Sequence, residues 1–406
     1  MVRHLRETVF VVALTVALGL AQPVWAQMVV KDYQTNTTIT SGGSSTLNIS
    51  TSTTENNTAF NSFSRFNVYD GYTVNLVRPS SATNLINLVQ NEISLLDGHL
   101  RTINTSGLVA GNSFFVNPLG FTVSSTAQVE AGSVTFETPT QEFMANFFEG
   151  WANPSDAATS AVLNGTLAIN PNAQIILDGA INASVTSVYG DCRFAGSVSG
   201  DFSSGYATTF SGTGTRSIGG ELLASGRLSV DAVTVQVGDD LQIDGSGYII
   251  ATSGSRIVVG GSLVCASTRP DLWDTRGAEL VLPSGPHTLH LAGGDLGPGG
   301  DNGFAWGTLT LESGAGLALM DAVSPAGAAL YLDVLALADG LAQIPSITGN
   351  GFNIYYDPSN PANAYLGGAS YPLTNGGAIT PIPEPAGLLL LVTALPLAMR
   401  RRRNAA

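Results

Sequence analysis

Three observations predict an all-β fold, a right-handed parallel β-helix, for this chain of 406 residues. Between Phe60 and Thr138, short β-forming runs (Phe66 to Tyr69, Thr73 to Val77, Ser113 to Val116, Phe121 to Ser124, Ser133 to Phe136) are broken by Gly, Asn and Pro. That spacing suits strands of about five residues joined at tight corners. From Leu163 onward, LNGTLAINPNAQIILDGAINASVTSVY, RLSVDAVTVQVGDDLQIDGSGYIIATSGSRIVVGGSLVCAS and LTLESGAGLALMDAV share one grammar. Aliphatic strands alternate with Gly, Asn or Asp corners, with a recurrence of roughly 20 residues, as in a solenoid whose coils bury one continuous core. The composition agrees. Charged residues are 11%, against about 25% in ordinary globular chains, and glycine is abundant. A sandwich would carry longer strands and hairpin turns.

Residues 1–26 have the layout of a secretory signal. Arg3, His4 and Arg6 open it, Val9 to Leu20 is apolar, and Pro23-Val24-Trp25-Ala26 ends on a small residue. Signal peptidase is expected to cut after Ala26. The apolar run is short for a spanning helix, which needs about 20 residues.

Residues 27–160 form the first β-helix domain. Gln27 to Ala59 is rich in Thr, Ser and Asn and alternates at Thr38-Ile39-Thr40 and Thr46-Leu47-Asn48-Ile49, which predicts capping strands. Asn117-Pro118-Leu119-Gly120 predicts a sharp turn between two strands. Pro118 fixes φ near −65°, Gly120 permits positive φ, and Asn117 can accept from its own downstream backbone. Phe143, Met144, Phe147 and Phe148 are spaced as on a helix, which predicts a short covering element.

Three blocks in this region carry a family likeness: FNSFSRFNV (60–68), NLINLVQNEISLLDGHLRT (84–102) and SFFVNPLGFTVSSTAQVEAGSVTFET (113–138). In this order they resemble the N-terminal secretion domain of filamentous haemagglutinins and other two-partner-secretion exoproteins. The resemblance implies a β-helix, export, and an outer-membrane transporter as partner. It also implies that Asn117, Pro118 and Gly120 form the turn motif that supports folding and secretion. Leu119 stands where the family carries a second Asn. The family's upstream Asn-Pro-Asn-Leu is absent, with Arg78-Pro79-Ser80 as a loose stand-in.

Residues 161–370 continue the β-helix body and end in an aromatic cap around Ile354-Tyr355-Tyr356 and Tyr365. Residues 371–380 read as a linker, and 381–406 as a tail. Pro383-Glu384-Pro385 precedes an apolar stretch, and Arg400, Arg401, Arg402 and Arg403 follow it. Proline-rich, apolar, then basic is the layout of a membrane-held tail with its cations kept in the cytoplasm. It resembles the PEP-CTERM sorting signal, which implies an exosortase-like partner, transient anchoring, and delivery to the cell surface or extracellular matrix.

The net charge is −14, and lysine occurs once, at Lys31. Nucleic acid needs a basic footprint and is excluded as a partner. Cys192 and Cys265 lie far apart in sequence, and stacked strands about 4.8 Å apart would keep them as two separate thiols. No catalytic, cofactor or metal residue is expected. Asp239 and Asp240 are adjacent, so in a strand they face opposite ways. His287 and His290 sit on opposite faces of a strand, one solvent-facing and one half-buried. Gly293 to Phe304 has the start of a calcium nonapeptide but does not repeat. The expected function is a non-enzymatic adhesive exoprotein that binds exopolysaccharide or cell-surface glycan along a face of Ser, Thr and Asn. The alternatives are a carbohydrate-active β-helix enzyme and a subunit of an extracellular matrix layer.

Overall fold

The structure is a computed structural model that describes residues 28–321 and 327–383. The signal segment to Ala26 and the tail residues Glu384, Pro385, Arg400, Arg401, Arg402 and Arg403 lie outside the described residues. The chain is a parallel β-helix and divides into two compact units, at Ala207/Thr208. The expected border at 160/161 falls instead inside a helix.

In the first unit the coils build three parallel sheets. One sheet stacks Thr58–Phe66, Asn84–Val89, Asn112–Val116, Ser133–Glu137, Val185–Tyr189 and Asp201–Ser204. A second stacks Thr46–Thr51, Thr73–Val77, His99–Ile103, Gln128–Glu130, Ala180–Asn182 and Ser197–Val198. The third stacks Ser94–Leu96, Gly120–Val123, Gln174–Leu177 and Asp191–Phe194. Period-two alternation puts one side of every strand inward. There Phe66, Phe115, Phe121 and Phe136 pack, with Phe115 and Phe136 stacked at 5.6 Å. The N-terminal end is closed by Thr37–Ser41, which pairs antiparallel with Thr46–Thr51.

The interior is not wholly apolar. Asn61 and Asn87 are fully buried and stand in register on successive coils. The Thr37 hydroxyl donates to Asn61 Oδ1 at 3.0 Å, Asn61 Nδ2 to Asn87 Oδ1 at 3.0 Å, and Asn87 Nδ2 to Ser113 Oγ at 3.3 Å. This ladder satisfies the amides and pins the register, because a slipped coil would leave them unpaired in the core.

The outer side of the first sheet is apolar. Phe60, Ile86, Leu88, Phe114 and Val116 point outward but are covered by residues 138–173. This insert contains helix α1 (Gln141–Ala145), a hairpin of Phe148–Gly150 with Asn153–Pro154, and helix α2 (Asp156–Asn164). The Thr140 hydroxyl caps α1 by accepting from the Phe143 N–H. Phe147 is fully buried against Phe60, while Met144, Ala158 and Val162 complete the contact.

In the second unit, Thr215–Ile218, Thr234–Val237, Arg256–Val259, Thr275–Leu282, Trp306–Leu311 and Ala329–Leu337 form one parallel sheet. Leu222–Ala224, Leu241–Ile243, Leu263–Cys265, Gly285–Leu291, Ala315–Asp321 and Ile347–Thr348 form another.

Four expectations need correction. The run 66–69 is not a strand. The strand is Thr58–Phe66, and Asn67 takes a bend in which its side-chain oxygen accepts from the Leu95 N–H. The recurrence of roughly 20 residues holds from Gln174 to Cys265, where register partners lie 16 to 22 residues apart, but not throughout the coils before and after. Hydrogen-bonded neighbours on adjacent coils lie 16, 21, 26, 28 or 31 residues apart, the difference being taken up at the corners. Helix α2 was not foreseen. Residues 371–380 are not a linker: Ala378–Pro381 pairs parallel with Asn353–Tyr356, and Tyr371–Pro372 folds back on it antiparallel. Buried Ile379 continues the apolar row above Ile354, which gives the segment a place in the core.

Candidate interaction surfaces

The second sheet of the first unit presents two outward rows that are polar, while a third, Ser50, Val77 and Ile103, is partly apolar and Ile103 is buried beside Val109. Thr46, Thr73, His99 and Gln128 stand in one register row. Asn48, Asn75, Arg101, Glu130 and Asn182 stand in the next. Neighbours in the rows hold one another: Asn75 Nδ2 donates to Asn48 Oδ1 at 2.9 Å, and Arg101 Nε to Glu130 Oε2 at 3.0 Å. At one side of this face an open groove of about 630 Å³ is lined by Glu130, Gly132, Asn182, Ser184, Ser199 and Gly200.

The corresponding sheet of the second unit presents Thr215, Thr234, Arg256, Glu279 and Thr308 in one row. A groove of about 410 Å³ there is lined by Arg256, Arg276, Glu279, Thr308, Asp333 and Asn360. Its cations are already matched. Arg256 meets Glu279 at 3.2 Å, and Arg276 meets Asp301 at 2.7 Å. The Gly303 N–H and then Arg276 hold the Asp301 carboxyl below its usual range. Burial raises Asp333, with a further push from Asp357 that Arg276 opposes. Such exposed pairs contribute little stability. Their chemistry is that of a hydrogen-bonding surface with little net charge, suited to hydroxyl-rich ligands.

Asn117, Pro118 and Gly120 occupy a built corner between Asn112–Val116 and Gly120–Val123. Asn117 is fully buried. Its Oδ1 accepts from the Leu119 N–H at 2.9 Å, while Nδ2 donates to the Glu92 carbonyl and to Ser94 Oγ on the preceding coil. Gly120 has φ 106°. The Pro118 carbonyl accepts from Asn170 Nδ2 at 2.7 Å, which ties the turn to the far end of the insert. Replacing Asn117 by Ala leaves the Glu92 carbonyl and the Leu119 N–H without partners. The expected cost is about 1–3 kcal/mol in denaturant unfolding; an unchanged midpoint would show the amide to be dispensable.

The residues weighed for catalysis do not converge. Asp239 and Asp240 lie at a corner and not in a strand, and Asp240 Oδ1 accepts from the Ser262 N–H at 2.7 Å. His287 is buried, contrary to the expected solvent-facing and half-buried pair. Its ring nitrogens meet the Gly261 and Pro283 carbonyls. Half-buried His290 faces the other way. In the Gly293 to Phe304 loop, Asn302 Nδ2 donates to the Ala292 and Ala329 carbonyls, and Asp295 accepts from the Tyr355 hydroxyl. The loop is thus held by its own protein contacts. Among the described residues no group of three or more His, Cys, Asp or Glu is arranged to hold a metal. Cys192 and Cys265 are separate buried thiols, and burial pushes the Cys265 thiol up to about 11. No helix of the described residues is long and apolar enough to cross a membrane.

No family model and no curated protein matches this chain. Among solved structures it is similar to the HMW1 secretion domain from Haemophilus influenzae, at 16% identity and a TM-score of 0.32, over 86% of this chain and 92% of that one.

Proposed function

We propose that this chain is an exported, non-enzymatic β-helical exoprotein that adheres to hydroxyl-rich polysaccharide through its open polar sheet faces. The observation that carries this reading is the contrast within the first unit. The outward face of the first sheet is apolar and sealed by the insert, while the second sheet carries two polar rows that repeat over successive coils. Repetition of one hydrogen-bonding pattern along a stack lets many weak contacts add.

The export part of the proposal rests on the sequence. Signal peptidase cuts after Ala26. The haemagglutinin-like blocks and the Asn117, Pro118 and Gly120 corner serve an outer-membrane transporter. An exosortase-like enzyme recognises Pro383, Glu384 and Pro385 ahead of Arg400, Arg401, Arg402 and Arg403, and releases the protein to the surface or matrix.

The mature protein incubated with neutral and acidic glycans should show saturable retention and release no product. Turnover of any of them would overturn the non-enzymatic reading. Retention on none, together with no binding to cells, would overturn the adhesive one.

A further inference from the structure

Two aromatic side chains of the first unit stand out in solvent: Tyr33 is 70% exposed and Trp151 is 66% exposed. They are not scattered apolar residues of the sort that every surface carries. The Ala152 N–H donates to the Gln34 carbonyl at 2.9 Å, so the residue following each aromatic is bonded to the residue following the other.

Both turns are fixed from beneath. Asp32 accepts from the Gln34 N–H at 2.9 Å, from Ser62 Oγ at 2.5 Å and from Gln90 Nε2 at 3.0 Å, bolting the Tyr33 turn to two coils. Trp151 caps the hairpin of Phe148–Gly150 and Asn153–Pro154. The root of that hairpin is locked, since the Ser155 N–H donates to the Phe147 carbonyl and the Phe147 ring is fully buried. Tyr33 itself holds φ 70° and Ala152 φ 54°, conformations that cost free energy in residues with a Cβ. About two thirds of each residue's surface nonetheless stays in solvent, so neither is placed for core packing.

We propose that Tyr33 and Trp151 form a rigid platform that stacks against the apolar faces of pyranose rings in a neutral polysaccharide. Large, stiff aromatics give contact area at low entropic cost, and their amphipathic edges tolerate a wet site. The flanking charges are of both signs. The Lys31 ammonium lies over one face of the Tyr33 ring, 5.1 Å from its centroid, while Asp32 in the same turn and exposed Glu149 on the hairpin are carboxylates. One cation against two carboxylates gives no attraction for a polyuronate, and the net charge of −14 disfavours an anionic membrane or nucleic acid at the same spot. The proposal rests on the adhesive reading and assigns it a particular contact.

The test is affinity electrophoresis of the mature protein in gels containing a soluble neutral β-glucan or a soluble polyuronate. Retardation is expected in the neutral gel. Tyr33→Ala and Trp151→Ala should each weaken it about tenfold, with unchanged thermal midpoints, and Tyr206→Ala, at another exposed aromatic, should leave it alone. Wild-type retention that survives both platform substitutions would overturn the platform while leaving adhesion in place. Retardation by polyuronate alone would overturn the neutral-sugar assignment. No retardation in either gel would overturn the platform, and binding to whole cells would then decide the adhesive reading separately.

Discussion

Glu137→Gln is expected to stabilise the protein at neutral pH by on the order of 1–3 kcal/mol and to flatten its stability between acid and neutral pH. Glu137 closes the strand Ser133–Glu137 at 0% exposure, and among the described residues neither carboxyl oxygen has a hydrogen-bond partner. It stands in register between Val116 and Tyr189, on the outward side that the insert seals. Burial raises its carboxyl well above the ordinary 4.5. The Tyr189 phenol is also raised, first by burial and then by the Glu137 charge. The folded chain therefore keeps a proton that the unfolded chain has already released. The contribution of this group is whole below about pH 4.5 and is lost as pH rises from there through the raised value. A glutamine never ionises, so the variant loses nothing over that window. Urea unfolding of both proteins from pH 4 to pH 9 decides the matter. Curves that stay parallel would mean that Glu137 finds a partner or water in solution.

Gly120→Ala is expected to destabilise the protein by about 2–5 kcal/mol, from backbone strain and overpacking together. A φ of 106° lies beyond the left-handed region that Asn or Asp tolerates. A methyl group there would also run into the Gln174 carbonyl on the next coil, the residue with which Gly120 is paired. Relief of either conflict must move the corner that Asn117 and Asn170 hold. The check is a denaturant melt of the purified variant beside the wild type. A loss under about 1 kcal/mol would mean that the corner is softer than its hydrogen bonds suggest.

Much of the architecture could be read from residue order because each signal was local. Thr73–Val77 lies where simple alternation places it, and α1 forms where a covering element is expected, although it holds only Phe143 and Met144 of the four apolar residues and Phe148 begins the hairpin. Helix α2 was missed because only Ala158 and Val162 are buried, with Ala161 and Leu163 packed beside them partly exposed, and its start, Ser155, makes no side-chain cap bond. The terminal strand Ala378–Pro381 was missed because Gly376, Gly377 and Pro381 look like a tether. Only pairing with a neighbouring coil gives Ile379 a buried place. Asn61 and Asn87 read as turn formers, yet they lie inside. Their one signal was the recurrence of Asn 26 residues on, one coil length. Glu137 looked like the polar member of an alternating strand, since nothing in order alone reveals that residues 138–173 fold back over it. The platform was invisible for the same reason, as the turns that carry Tyr33 and Trp151 are joined, at the Ala152 N–H and the Gln34 carbonyl, through that fold-back.

Two end strands run against the grain, although the ladders that end at Ile347–Thr348 and at Ser94–Leu96 close with parallel strands. Thr37–Ser41 is reversed relative to the strands it caps, and so is Tyr371–Pro372, which also carries a proline. A second copy offering its own first or last coil would find an edge of the wrong polarity, and at Pro372 a missing donor. Head-to-tail pairing through the backbone is thereby discouraged at those two edges.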